Sequence, residues 1–82
     1  MEIQEKTVGV SDLGLATLLV TLHFEVVDME RVDDKRVNFL FARAEGLENA
    51  ISNYWSGVSV FLSAQKLFSN HKVLKNRLYA FK

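Results

Sequence analysis

The chain has no cysteine, no proline, four glycines and no net charge. Without cysteine there is no disulfide, no thiolate nucleophile and no Cys-ligated zinc or iron. Without proline, and with so little glycine, no linker is visible, so residues 1–82 are expected to form a single domain with nearly every residue in an element or a tight connection. Ten basic and ten acidic residues remove any whole-chain electrostatic case for a nucleic-acid or membrane partner. Long apolar runs are missing too. The longest uncharged stretch, Asn49 to Gln65, is interrupted by Asn53, Gly57 and four serines. The most apolar stretch, Leu13 to Phe24, has twelve residues, where a membrane span needs roughly 20. The start Met1-Glu2-Ile3-Gln4-Glu5-Lys6 is acidic, unlike a secretory or transit leader. Glu2 stands where a myristoylation signal needs Gly, and no C-terminal Cys is present for prenylation. A cytoplasmic protein with no membrane partner is the expectation.

What is present is a folding sequence, with an apolar share of 49%. A chain this short buries only about 60–65% of its unfolded surface, so its core is small. Thr7, Val8 and Val10 place a first strand within residues 3–10. Ser11 follows as an N-cap, with Asp12 where the helix dipole favours an anion. Leu13, Ala16, Leu19, Val20 and His23 recur at helical spacing, and Leu15, Leu18 and Leu22 add a second apolar stripe. Such a helix must be covered on most sides. Either it lies between the sheet and another helix, or it forms part of a dimer interface. Phe24 to Val32 is rich in strand formers, although the adjacent Val26 and Val27 break the alternation. Asp33-Asp34-Lys35 is a polar turn, and Arg36 to Arg43 alternates cleanly, with Val37, Phe39 and Phe41 on one face. The pair reads as a hairpin. Glu45 and Glu48 open a second helix carrying Leu47, Ala50, Ile51 and Tyr54, and Gly57 closes it. Val58 to Phe61 reads as a short extended run. Ser63 caps a last helix whose expected buried face is Ala64, Leu67, Phe68, His71, Leu74, Leu78 and Phe81. The expected fold is α+β, in the order β-α-β-β-α-α. Its three-stranded sheet has the order 1-3-2, a central strand at about 36–43, and helices over one face.

The succession of these segments resembles a small family of uncharacterised bacterial and phage domains. The resemblance rests on Ser11-Asp12-Leu13 with Leu15-Ala16, Arg36-Val37-Asn38-Phe39-Leu40-Phe41, Tyr54-Trp55-Ser56-Gly57 and Leu74-Lys75-Asn76-Arg77-Leu78-Tyr79. It covers roughly residues 7–79. It implies a fold and a phage or prophage setting, and no reaction. Members of that family commonly carry Lys-Gly at the end of the first helix, where this chain has Leu22-His23. The turn there has to be built without a Gly cap.

The strongest functional signal is charge segregation. Residues 1–61 hold five bases against ten acids, while residues 62–82 hold Lys66, Lys72, Lys75, Arg77 and Lys82 and no acid. A basic terminal helix suits a phosphate backbone, with Tyr79 or Trp55 available to stack on a base. The alternative is that these bases lie over the acidic body and screen it. Asp28, Glu30, Asp33 and Asp34 put four carboxylates within seven residues, enough to consider a hard cation or an acid/base pair. The plainer reading is a solvated edge strand and turn. His23 and His71 have no metal-ligand spacing, and His71 falls on the apolar face of its helix. No phosphate loop or nucleophile elbow is present. No catalytic residue, metal ligand or cofactor is therefore assigned. Apolar residues beyond what so small a monomer covers argue for a homodimer, with Leu15, Leu18, Leu22 and Trp55 as the candidate interface. The leading expectation is a non-enzymatic binding module, phage- or prophage-associated, whose partner is a protein or a nucleic acid. A nucleic-acid-binding protein using the basic helix is the first alternative. A small metal-dependent enzyme using the acidic hairpin is the second.

Overall fold

The computed structural model describes residues 6–81. Residues 3–5 of the expected first strand, and Lys82, lie outside them. The elements are β1 (Thr7–Val10), α1 (Leu13–Thr21), β2 (Val26–Arg31), β3 (Val37–Ala42), α2 (Leu47–Trp55) and α3 (Ala64–Phe81). The sheet order is β1-β3-β2, and β3 is antiparallel to both neighbours. The α+β fold and the central position of the third strand are thus as expected. Val58 to Phe61 makes no strand, and the chain crosses from α2 to α3 without joining the sheet.

The alternation of β3 sets the core. Val37, Phe39 and Phe41 are buried, while Asn38, Leu40 and Ala42 on the other face are half-buried. Phe39 is paired with Val10 on one side and Met29 on the other; Phe41 is paired with Val8 and Val26. Cross-strand partners share a face, so these residues form one apolar surface. Asp28 and Glu30, opposite Leu40 and Asn38, look away from it. The register shifts between Val26 and Asp28. Val27 is the extra residue of a bulge, which is why two adjacent valines fit one strand.

α1 lies on this surface, and α3 lies against α1. Leu15, Ala16, Thr17, Leu18 and Leu19 are all buried. Five consecutive buried residues turn through more than a full circle, so the helix is covered all round. This settles the two expectations for the double stripe: the sheet covers one side and a helix of the same chain the other. The layers are joined by a polar chain. Asn70 Nδ2 donates to Thr21 Oγ1 at 3.0 Å, and Thr21 Oγ1 donates to the Thr17 carbonyl at 2.8 Å. Thr17, buried between the layers, is satisfied by the Leu13 carbonyl at 2.8 Å.

The helix ends follow local chemistry. The N-cap of α1 is Asp12, whose carboxylate accepts from the Leu15 N–H at 2.8 Å. Ser11, expected to cap, lies one residue outside. Ser63 caps α3 as expected, with its hydroxyl accepting from the Lys66 N–H. α1 and α2 end in the same motif. In α2, Gly57 is left-handed at φ 76°, and the N–H groups of Val58 and Gly57 bond the Asn53 and Tyr54 carbonyls. In α1, His23 takes the same role at φ 76°, with Phe24 and His23 bonding Leu19 and Val20. The missing Gly is replaced by a strained histidine, because the hydrogen bonds of the motif require the left-handed residue whatever its side chain. His23→Gly is therefore expected to raise stability by about 0.5–1 kcal/mol, visible in chemical denaturation. An unchanged midpoint would mean that the histidine side chain offsets its backbone strain.

Candidate functional site

α3 is the basic element of the fold. At 18 residues it runs about 27 Å, roughly twice the length of α1 beneath it. Leu74 is its one buried residue, with Leu67, Asn70, His71 and Leu78 half-buried around it. The rest of the helix surface is open. Phe68 and Phe81, expected in the core, are exposed, Phe68 at 71%. Phe68 follows Leu67 and so points about 100° away from the Leu67–Leu74 line.

Phe68, Lys72, Lys75 and Tyr79 occur at i, i+4, i+7 and i+11. On a helix these fall within an arc of about 60° and form one row about 16 Å long. All four are exposed, Tyr79 at 63%. A second row, Lys66, Val73 and Arg77, runs along the other flank. Between the rows lie the exposed Gln65, Ser69, Asn76 and Ala80. The outward face thus has basic residues at both edges, with two aromatic rings ending one of them.

Lys66, Lys72, Lys75 and Arg77 are all exposed. Among the described residues, their side chains pair with no carboxylate, whereas Arg43 on the body pairs with Glu48. All ten acids precede residue 49 in the chain. The helix therefore carries four cations without a neutralising acid on the same element. Screening of the body by these bases does not occur through direct pairs.

The remaining candidates disperse. Leu15 and Leu18 lie in the chain's own core, at 3% and 8% exposure, and Leu22 is half-buried against it. α3 meets α1 at Thr17 and Thr21, whereas Leu18 and Leu22 are turned to the α2 side, where they line a groove with Phe24, Ala50 and Asn53. Trp55 is exposed at 62%, packed edge-on against Tyr54 with ring centroids 5.0 Å apart. The four carboxylates of the hairpin do not converge. Asp33 Oδ1 accepts from the Lys35 and Arg36 N–H groups, both at 2.8 Å, and so builds its own turn. Asp28 accepts from the Met29 N–H. Among the described residues, no three His or acidic side chains come close enough to hold a metal ion. His71 lines a small cavity of about 160 Å³ with Gly14, Thr17, Leu67 and Phe68. Among the described residues, no helix is long and apolar enough to cross a membrane.

Sequence periodicity alone assigned Phe68 to the apolar face. The signal that separates it is the row it shares with Lys72, Lys75 and Tyr79, set off from the leucine line. No curated protein and no solved structure matches the chain. A family model does match it, over residues 5–80, nearly the whole length and in line with the resemblance read from its motifs. The chain therefore belongs to that family, a domain of unknown function, DUF5659.

Proposed function

We propose that this protein is a non-enzymatic binding module that contacts a single-stranded nucleic acid through the outward face of α3. One observation carries the reading: the bases of that helix face solvent without acidic partners, in rows that include the exposed Phe68 and Tyr79. Cations along a surface gain by releasing the counterions of a phosphate backbone. Aromatic faces gain by stacking on unpaired bases, about 1–3 kcal/mol per base, and every base has such a face. A row about 16 Å long would span a few nucleotides. The acids, all borne outside α3, repel the same backbone and so favour a strand lying along the helix. The setting this implies is cytoplasmic, and in the phage or bacterial context of the family resemblance the neighbouring genes would be those of nucleic-acid metabolism.

Fluorescence anisotropy with a labelled oligothymidylate, and with a duplex of equal length, tests the reading. Four cations predict a log–log salt slope of about −2 to −3 on the single strand. Lys72→Glu/Lys75→Glu should weaken binding at least about tenfold and flatten the slope by about 1–2. Phe68→Ala should weaken binding without changing the slope, because it removes stacking and no charge. Absence of binding at low salt overturns the proposal. Equal binding of the duplex, indifferent to Phe68→Ala, overturns its single-stranded part.

A further inference from the structure

The two edges of the sheet differ. β2, on one side, carries Asp28, Glu30 and Arg31, all exposed, and a bulge at Val27. Charged side chains and bulges keep an open edge from pairing with another chain. β1, on the other side, reads Thr7-Val8-Gly9-Val10, with no charge and no register shift against β3. The Arg43 N–H donates to the Lys6 carbonyl, so in this register Val8 and Val10 also turn their backbone groups toward β3. The N–H and C=O groups of Thr7 and Gly9 therefore point to the open side. Among the described residues, no strand or loop pairs with them. This open edge borders a groove of about 260 Å³. Val8 and Val10 line it from β1, Asp12 and Leu15 from the start of α1, and Ile51 and the exposed Trp55 from α2.

We infer that β1 and this groove form a docking site for an extended, otherwise unfolded peptide segment of a partner protein, which joins the sheet as a fourth strand. Backbone donors and acceptors repeating every second residue are matched by another extended backbone, which supplies the affinity. Val8 and Val10 face the helix layer, so an added strand turns every second side chain toward that layer, into the groove and against Trp55. A second copy of this chain is the poorer occupant. Its β1 offers the same hydrogen bonds, but its Val10 and Leu15 are already buried in its own core. It has no free side chain on that face to fill the groove, whereas an unfolded segment has. The lining also sets the chemistry of the segment. Its alternate positions are apolar, to meet Val8, Leu15, Ile51 and Trp55. A basic residue lies at the Asp12 end, because Asp12 is the one charged group among the described residues that line the groove. Asp12 caps α1 through Oδ1 and still presents its charge. The inference is independent of nucleic-acid binding by α3.

NMR titration of the full chain with acetylated, amidated peptides about six residues long tests it. Alternate positions are valine, leucine or phenylalanine, the others are threonine, and one end is lysine or glutamate. The lysine peptides should shift the Thr7 and Gly9 amides and the Trp55 indole, and should bind about threefold tighter than the glutamate peptides. Methylating every second peptide nitrogen should abolish binding in one alternation and spare it in the other, because only every second amide faces the edge. Trp55→Ala should weaken binding about tenfold or more. Thr7→Pro removes an outward N–H that the ladder with β3 does not use, and should weaken binding about three- to tenfold. Asp12→Asn keeps a good cap and should erase the preference for lysine. Lys72→Glu/Lys75→Glu should leave peptide binding unchanged. Absence of any shift at about millimolar peptide overturns the inference, and so does binding indifferent to N-methylation in both alternations. A mass of twice 9.3 kDa that Thr7→Pro halves assigns the edge to a second copy and overturns it as well.

Discussion

Phe39→Ala is expected to cost about 3–5 kcal/mol and to leave much of the protein unfolded. Phe39 is fully buried at the middle of the central strand, between Val10 and Met29, under α1. Truncation removes the transfer energy of the ring and leaves a cavity that two paired neighbours and a covered helix cannot collapse to fill. A domain of this size has a total stability of only about 4–12 kcal/mol. The measurement is a urea titration followed by circular dichroism, with Leu40→Ala as its control. Leu40 is one residue away on the same strand but on the half-buried outer face. Its loss should cost about 1 kcal/mol or less. Equal losses at the two positions would contradict the one-sided core.

Leu74→Ala is expected to cost about 2–4 kcal/mol and to act on one layer more than the others. Leu74 is the one fully buried side chain of α3, and α1 is the element α3 packs against. The half-buried Leu67 and Leu78 and the Asn70–Thr21 hydrogen bond remain, but they flank the position that has been emptied. Local opening follows the number of buried apolar contacts. The amides of α3 should therefore lose protection in hydrogen exchange before those of β3. Because α3 meets α1 at Thr17 and Thr21, the amides on that side of α1 should follow. Uniform loss across sheet and helices would show instead that the three layers open as one cooperative unit. The same variant bears on the binding proposal, since a loosened α3 still carries its lysines but no longer holds Phe68 and Tyr79 in one row on a fixed surface.

Much of the fold was legible because its signals are local. Val37, Phe39 and Phe41 alternate with smaller or polar residues, and a period of two in an otherwise apolar run has few other meanings. The slip at Val26-Val27 marked a real bulge. Gly57 and Ser63 acted as cap residues, since a left-handed residue after a helix and a hydroxyl before one answer to the backbone alone. Asp12 and Ser11 were harder to separate. Both are good caps, and the structure takes the one from which a carboxylate reaches the Leu15 N–H. Phe68 was misplaced for a different reason. It lies at the border of the apolar arc, and only the width of the contact with α1 decides on which side a border residue falls.

The sequence by itself determined the number and order of the elements, the inward face of β3 and the segregation of acids before residue 49 from bases after residue 65. Each of these depends on the spacing of residues along one strand or helix, or on plain position in the chain. The tertiary structure alone decided what covers α1 and where the last helix turns its bases. A helix with two apolar stripes is satisfied equally by a second copy or by another part of the chain, and only the docking of α3 on Leu74 chooses between them. Once that contact is made, the leucines of α3 face inward, and its lysines, Phe68 and Tyr79 are left on the outside. The neutral total of ten bases and ten acids thus becomes a body that carries all the acids and an acid-free basic helix whose bases are exposed.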